Sequence, residues 1–267
     1  MTIQGKTALV TGASRGIGRA IALEFAAQGA GRVLLVARNR QLLAEVVADI
    51  QAMGVEAIAI PLDLSQPVDV SIAIAKIWRD YGPIHYLVNC AGVAHQTTFL
   101  QSRLPQVQEE IATNLMGMYT VTRLVARRMV TQREGTIINV SSLMGKLAAP
   151  TMATYSATKF AILGFTQALR GELAAHNIRV VALLPSLTDT DMVRDLRWFR
   201  WVVPTTSQAV AQALVQGLKR DTPEILVGWQ SHMAVWGHRL VPNLIEKMLL
   251  WAAPLPKQPT RAYSSIR

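Results

Sequence analysis

One cysteine, Cys90, stands among 267 residues. That excludes an internal disulfide framework and any zinc cluster built from several thiolates, and it is the usage expected of a reducing, intracellular compartment. Charged residues make up 16% of the chain, but hydrophobic ones make up 51%. There is ample material for a buried core and too little charge for disorder. No run of about 18 apolar residues occurs, so no bilayer-spanning helix is expected. The opening Met1-Thr2-Ile3-Gln4-Gly5-Lys6 has no basic region ahead of an apolar stretch, and no signal peptide is expected. His85, His95, His176, His232 and His238 fall at no metal-ligand spacing, and no metal is assigned.

Acids are also scarce: 17 Asp and Glu face 27 Lys and Arg, a net charge of +10. From Met192 onward ten bases oppose four acids, which places +6 of that charge in the last quarter together with Trp198, Trp201, Trp229, Trp236 and Trp251. No nucleic-acid motif accompanies this charge, so no nucleic-acid partner is expected.

What is present is alternation. Short Val, Ile and Leu runs (8–11, 33–37, 57–62, 86–89, 136–140, 179–184 and 224–227) are separated by segments of helical period (17–28, 41–53, 68–80, two within 105–131, 154–176 and 207–219). Repeated βαβ units predict an α/β fold, a single doubly wound parallel sheet of about seven strands with helices on both faces. Residues 1–230 read as one nucleotide-binding domain and 231–267 as a basic, Trp-containing extension. In that extension Pro242, Pro254, Pro256 and Pro259 are expected to interrupt helix, and the last residues to be loose.

The first strand runs into Thr11-Gly12-Ala13-Ser14-Arg15-Gly16-Ile17-Gly18 and then a helix. Gly12, Gly16 and Gly18 permit a tight turn, backbone approach to a pyrophosphate and close helix seating, while the amide-rich helix start with Ser14 and Ile17 faces the anion. After the second strand, where an acid would hold a free ribose hydroxyl, stands Arg38. With Arg15 it can bracket a 2′-phosphate, so NADP is the expected cofactor, solvated surface charge being the other reading of both. In Leu62-Asp63-Leu64 the carboxylate can face adenine or cap the next helix.

The fifth strand delivers Ser141-Ser142 to the carboxyl edge of the sheet, and Tyr155 and Lys159 follow at i, i+4 on a helix. An ammonium about 4 Å from a phenol, at an effective dielectric near 20, contributes roughly 4 kcal/mol, enough to draw Tyr155 toward neutrality. Tyr155 then suits general-acid work, with Ser142 polarising a carbonyl.

Over roughly residues 5–228 these motifs resemble the short-chain dehydrogenase/reductase family: TGxxxGxG is matched by Thr11 to Gly18, NNAG by Asn89-Cys90-Ala91-Gly92, and YxxxK by Tyr155 to Lys159. The resemblance implies an NADP-dependent oxidoreductase with a catalytic tetrad of Asn114, Ser142, Tyr155 and Lys159. In it Asn114 supports a proton-relaying water and Lys159 also holds the nicotinamide ribose. It further implies nucleotide contacts from Asn89, Ala91, Gly92, Pro185, Thr188 and Thr190. Two departures stand out: Cys90, read as packing at a strand end, and Ser186, where the family has glycine. Homologous enzymes are commonly dimers or tetramers joined through the helices at 115–131 and 154–176.

The loops walling the implied cleft carry Val93, Phe99, Leu143, Met144, Leu147, Met152, Leu187, Met192, Leu196, Trp198, Phe199 and Trp201. They suggest a hydrophobic small-molecule carbonyl substrate: a 3-oxoacyl chain, a long-chain, steroid or aryl ketone. His95 is read as a solvated loop residue or a substrate contact. Segments 192–201 and 232–255 join apolar bulk, Trp and bases as interfacial elements do, so peripheral membrane contact is one expectation, a lid or subunit contact the other. An NADP-binding sensor without turnover is the alternative to an enzyme.

Overall fold

The computed structural model describes residues 2–254 apart from 195, 198 and 201. β1 (Thr7–Thr11) leads through α1 (Gly16–Ala27), β2 (Arg32–Ala37), α2 (Arg40–Ala52), β3 (Glu56–Pro61) and α3 (Pro67–Tyr81) to β4 (Tyr86–Asn89). α4 (Leu104–Glu110) passes through a π-helical stretch, Ile111–Gly117, into α5 (Met118–Gln132). β5 (Gly135–Val140), α6 (Ala153–Ala174) and β6 (Ile178–Leu184) follow. The chain then forms β7 (Thr188–Asp189), the single turn α7 (Asp191–Arg194), β8 (Thr205–Thr206), α8 (Ser207–Lys219), β9 (Glu224–Leu226), α9 (Trp229–Leu240) and α10 (Pro242–Ala252).

Seven strands pair in parallel in the order β3-β2-β1-β4-β5-β6-β9. The doubly wound sheet read from the sequence is the one observed, with strand ends within a residue or two. Buried strand runs need cover on both faces. Phe25 of α1 and Leu214 of α8 pack with Val10 and Val33 on one face; Ile74 of α3 and Met129 of α5 pack with Leu9 and Leu87 on the other. Asn39 starts α2 by accepting from the Leu42 amide, and Thr206 does the same for α8 at Ala209. Strand order reverses between β1 and β4, and that opens a crevice at their carboxyl ends.

Pro242 separates α9 from α10, as expected, and itself opens the first turn of α10, where its missing N–H costs nothing. The start of the extension differs from expectation. Residue 231, the expected start of the extension, lies inside α9, whose Ser231 hydroxyl donates to Val227 O at 2.6 Å. Pro254 comes just after α10, while Pro256, Pro259, Trp198 and Trp201 lie outside the described residues. The two-residue pair β7–β8 was not read from the sequence, being too short to show a period.

Candidate active site

The turn after β1 is built for a ligand's backbone contacts. Thr11 Oγ1 accepts from the amides of Cys90 at 3.0 Å and Ala91 at 3.2 Å, which ties β1 to the loop after β4. A Cβ on Gly12, whose φ is +68°, would lie 2.8 Å from Ala91 N, and one on Gly18 would collide with the Gly12 carbonyl. Only glycine lets α1 start this close to the sheet. Arg15 precedes the helix without a side-chain capping bond, and no acid stands in the first turn. With the Ser14–Gly18 stretch, that leaves a helix start suited to an anion, and these residues fit a dinucleotide pyrophosphate.

Arg15 and Arg38 each face a carboxylate. Arg15 Nη1 lies 3.7 Å from Asp191 of α7, and Arg38 Nη1 lies 3.5 Å from Glu109 of α4. Glu109 also meets His95 Nε2 at 3.0 Å, and the His95 amide donates to Glu110 Oε1 at 2.5 Å. His95 is therefore half-buried and paired, which corrects its reading as a solvated residue. Asp63 Oδ1 accepts from the Ser65 amide at 2.9 Å, shaping the loop just before α3 but not capping the helix directly. Leu64 is buried under Gly117.

Two residues assigned by family resemblance are committed to internal bonds. Asn89 Nδ2 donates to Thr122 Oγ1 and to Asn139 Oδ1, both at 2.8 Å. Its amide nitrogen braces the centre of the sheet, and its Oδ1 is buried without a hydrogen-bond partner. Asn114, in the π-helical stretch, accepts from Val93 N at 2.8 Å, donates to Val93 O at 2.9 Å and reaches Thr158 Oγ1 at 3.3 Å. Its side chain pins the Val93 loop to α6, so support of a water would fall to its main chain. Gly92 lies alongside, where a Cβ would sit 3.2 Å from Asn114 Oδ1 and 3.8 Å from Lys159 Nζ.

Ser142, Tyr155 and Lys159 do come together. Ser142 follows β5 and accepts from the Met144 amide at 3.1 Å, which fixes its rotamer. Burial pushes the Tyr155 phenol up to about 12, against a hydrogen bond with Ser142 that draws it down. Lys159 Nζ lies 5.4 Å from the Tyr155 ring centre and donates to Val140 O at 3.0 Å. Burial pushes its ammonium down to about 8. The expected drop of Tyr155 toward neutrality is therefore corrected. The lysine is oriented by Val140 rather than by the phenol, and desolvation outweighs attraction. Cys90 is pushed up to about 12 by burial, a packed thiol and no nucleophile, in keeping with its reading from sequence.

The loop after β6 closes the site. Pro185 O accepts from the Leu143 amide at 2.8 Å, Thr188 Oγ1 donates to Ser186 O at 3.0 Å, and a Cβ on Gly16 would come within 3.2 Å of Thr190 Cγ2. Ser186 needs no left-handed backbone, so the departure from glycine is absorbed. Of the expected cleft wall, Leu147 and Met152 belong instead to the buried core. Sequence reasoning missed Ser141, whose hydroxyl holds Lys159 O at 2.8 Å, and the buried Glu110, whose carboxyl burial pushes up. Ser141 could have been found from its place beside Ser142; nothing in the sequence marks Glu110.

A dinucleotide crevice flanked by a Ser, a Tyr and a Lys defines an α/β oxidoreductase, and comparison with known proteins gives the class. The profile described as short chain dehydrogenase matches residues 6–200. A 3-oxoacyl-[acyl-carrier-protein] reductase of Synechocystis sp. is 38% identical over 73% of this chain and 78% of its own. Ketoacyl reductase HetN of Nostoc sp. is 34% identical over 100% of this chain and 96% of its own. A short chain dehydrogenase of Burkholderia cenocepacia, solved in complex with NADP, superposes with a TM-score of 0.82 at 27% identity, covering 94% of this chain and 99% of that one. The chain belongs to the short-chain dehydrogenase family and is an oxidoreductase.

Proposed function

We propose that this protein reduces the ketone of a hydrophobic substrate with NADPH, and that Tyr155 is the general acid. The observation that carries this reading is the placing of Lys159 Nζ 5.4 Å from the Tyr155 ring centre, one helical turn along α6, and beside Gly92 in the loop after β4. A bound nicotinamide supplies the hydride. Ser142 and Tyr155 would offer their hydroxyls to the carbonyl oxygen as it gains negative charge. With its affinity at about 12, the phenol keeps its proton at neutral pH and hands it to the developing alkoxide. Lys159 then offsets the charge left on the phenolate.

Arg15 and Arg38 are the residues for an added 2′-phosphate, with no acid after β2 to favour the free hydroxyl. Support for an apolar substrate comes from Val93, Leu143, Met144 and Leu187, half-buried on the loops around the phenol, and from the names of the two relatives. The test is NADPH oxidation with 3-oxoacyl thioesters and ketones graded by chain length, repeated with NADH. Longer chains and NADPH are expected to be preferred. Tyr155→Phe should retain NADPH binding and lose turnover by about 10²- to 10⁴-fold. Equal turnover in the variant would remove Tyr155 as the acid, and equal use of NADH would remove the role of the two arginines.

A further inference from the structure

We infer that the α9–α10 hairpin is a docking surface for an anionic lipid bilayer. Trp229, Met233, Trp236 and Leu240 recur at i, i+4, i+7 and i+11 and are all exposed, Trp229 to 70%. That spacing puts them on one side of α9. Ser231, wholly buried, marks the other side, where α9 is tied to the body. On α10, Leu244, Met248 and Trp251 repeat the spacing and are exposed in the same way, Trp251 to 69%. Glu246, Leu249 and Leu250 of α10 line an apolar hollow of about 610 Å³ against Ala153, Ala157 and Phe160 of α6. Helical geometry turns Leu244, Met248 and Trp251 away from that hollow. Both stripes therefore point out of the molecule, side by side across the close approach of Gly237 and Ile245.

A contiguous apolar face of this size on a water-soluble fold marks an interaction site. Its chemistry selects the partner. Tryptophan with methionine and leucine suits the boundary between headgroups and acyl chains, where an amphipathic ring is wetted at one end only. Arg239 stacks its guanidinium 5.8 Å from the Trp236 ring centre, which sets a cation at the edge of the stripe. Beyond Leu226 the chain has five Lys and Arg and a single acid, Glu246. That acid lies 3.8 Å from His238 at the rim of the hollow, its side chain 65% exposed. Arg239 and Lys247, the two cations among the described residues beyond Leu226, complement an anionic headgroup layer.

The hairpin also connects to the loop after β4. Ala252 O, at the end of α10, accepts from the Arg200 amide at 3.0 Å. Three residues earlier, Arg197 exchanges two hydrogen bonds with Gln96 in the loop after β4, at 2.7 and 3.0 Å. Lipid held on the hairpin would lie close to Arg200, three residues from the bond between Arg197 and the loop after β4. The docking itself stands apart from the proposed reaction.

The test is flotation of the full-length protein with vesicles of phosphatidylcholine alone and of phosphatidylcholine with about one third phosphatidylglycerol. At low salt the anionic vesicles are expected to carry about ten-fold more protein than the neutral ones, and high salt should release part of it. Tryptophan emission of the wild type should shift to the blue on the anionic vesicles. The triple variant Trp229→Ser, Trp236→Ser, Trp251→Ser changes three exposed side chains, so NADPH binding and oligomer size should persist while flotation falls about ten-fold. Wild-type protein staying in the soluble fraction at low salt without a blue shift overturns the proposal. So does a triple variant that floats like the wild type. A variant that loses oligomer size instead of flotation would assign the stripes to a second copy of the chain.

Discussion

Lys159 sets the pH dependence of the site. It is 5% exposed, its ammonium is held by Val140 O, and burial brings its proton affinity down to about 8. The phenol, at about 12, stays protonated throughout the working range. The sign follows directly: the cation that offsets the phenolate is present below pH 8 and is lost as pH rises through that value. The rate of ketone reduction at saturating NADPH is expected to be flat below pH 8 and to fall above it, by about ten-fold per unit if the cation is essential. A profile flat to pH 10 would show that the charge of Lys159 takes no part. Other residues matter through what they hold. Asn114 spends its amide on Val93 and Thr158, Asn89 spends its amide nitrogen on Thr122 and Asn139, and Thr11 spends its hydroxyl on two amides after β4.

Among the elements, α4 bears most on cofactor choice. Its Glu109 sits between Arg38 and His95, so a 2′-phosphate arriving at Arg38 must compete with a carboxylate 3.5 Å away. Both partners are more than a third exposed, and such a pair is worth about 1 kcal/mol at most. Glu109→Gln is accordingly expected to tighten NADPH binding by about 2- to 5-fold and to leave NADH unchanged. Fluorescence titration of both nucleotides measures this, and an equal effect on the two would detach Glu109 from the phosphate. Asp191 stands to Arg15 as Glu109 stands to Arg38, which links the nucleotide turn to α7. The π-helical stretch between α4 and α5 does similar positional work, since it is where Asn114 is turned inward.

At the scale of the whole molecule, the outer face of α6 is apolar, and that of α5 sets Tyr119 beside exposed Arg123 and Arg127. Tyr119 is 45% exposed and packs its ring against Phe165 at 5.5 Å between centres, and Met116 and Phe160 are exposed nearby. Two neighbouring helices with such faces favour self-association, the arrangement expected from the family resemblance. The wild type is expected to sediment as a dimer or tetramer, and Tyr119→Asp should shift it toward monomer by placing a charge in an apolar contact. A monomeric wild type at micromolar concentration would remove these helices as the joining surface.

The sheet was legible because its strands are continuous Val, Ile and Leu runs and its helices have one apolar face, periods that survive any tertiary context. The glycine turn and the Tyr155–Lys159 pair were legible for a related reason: their chemistry depends on spacing within one element. The pairing of Glu109 with Arg38, the commitment of Asn114 to Val93, the π-helical stretch and the two-residue strands β7 and β8 left no periodic trace. Trp229, Met233, Trp236 and Leu240 form a visible stripe, but the side of it that meets solvent depends on where Ser231 and Val227 dock. Order along the chain, and with it fold and chemistry, was set by local pattern. Proton affinities, ion pairs and exposed faces were decided by folding, because they arise between residues far apart in sequence that meet only when water is excluded from between them.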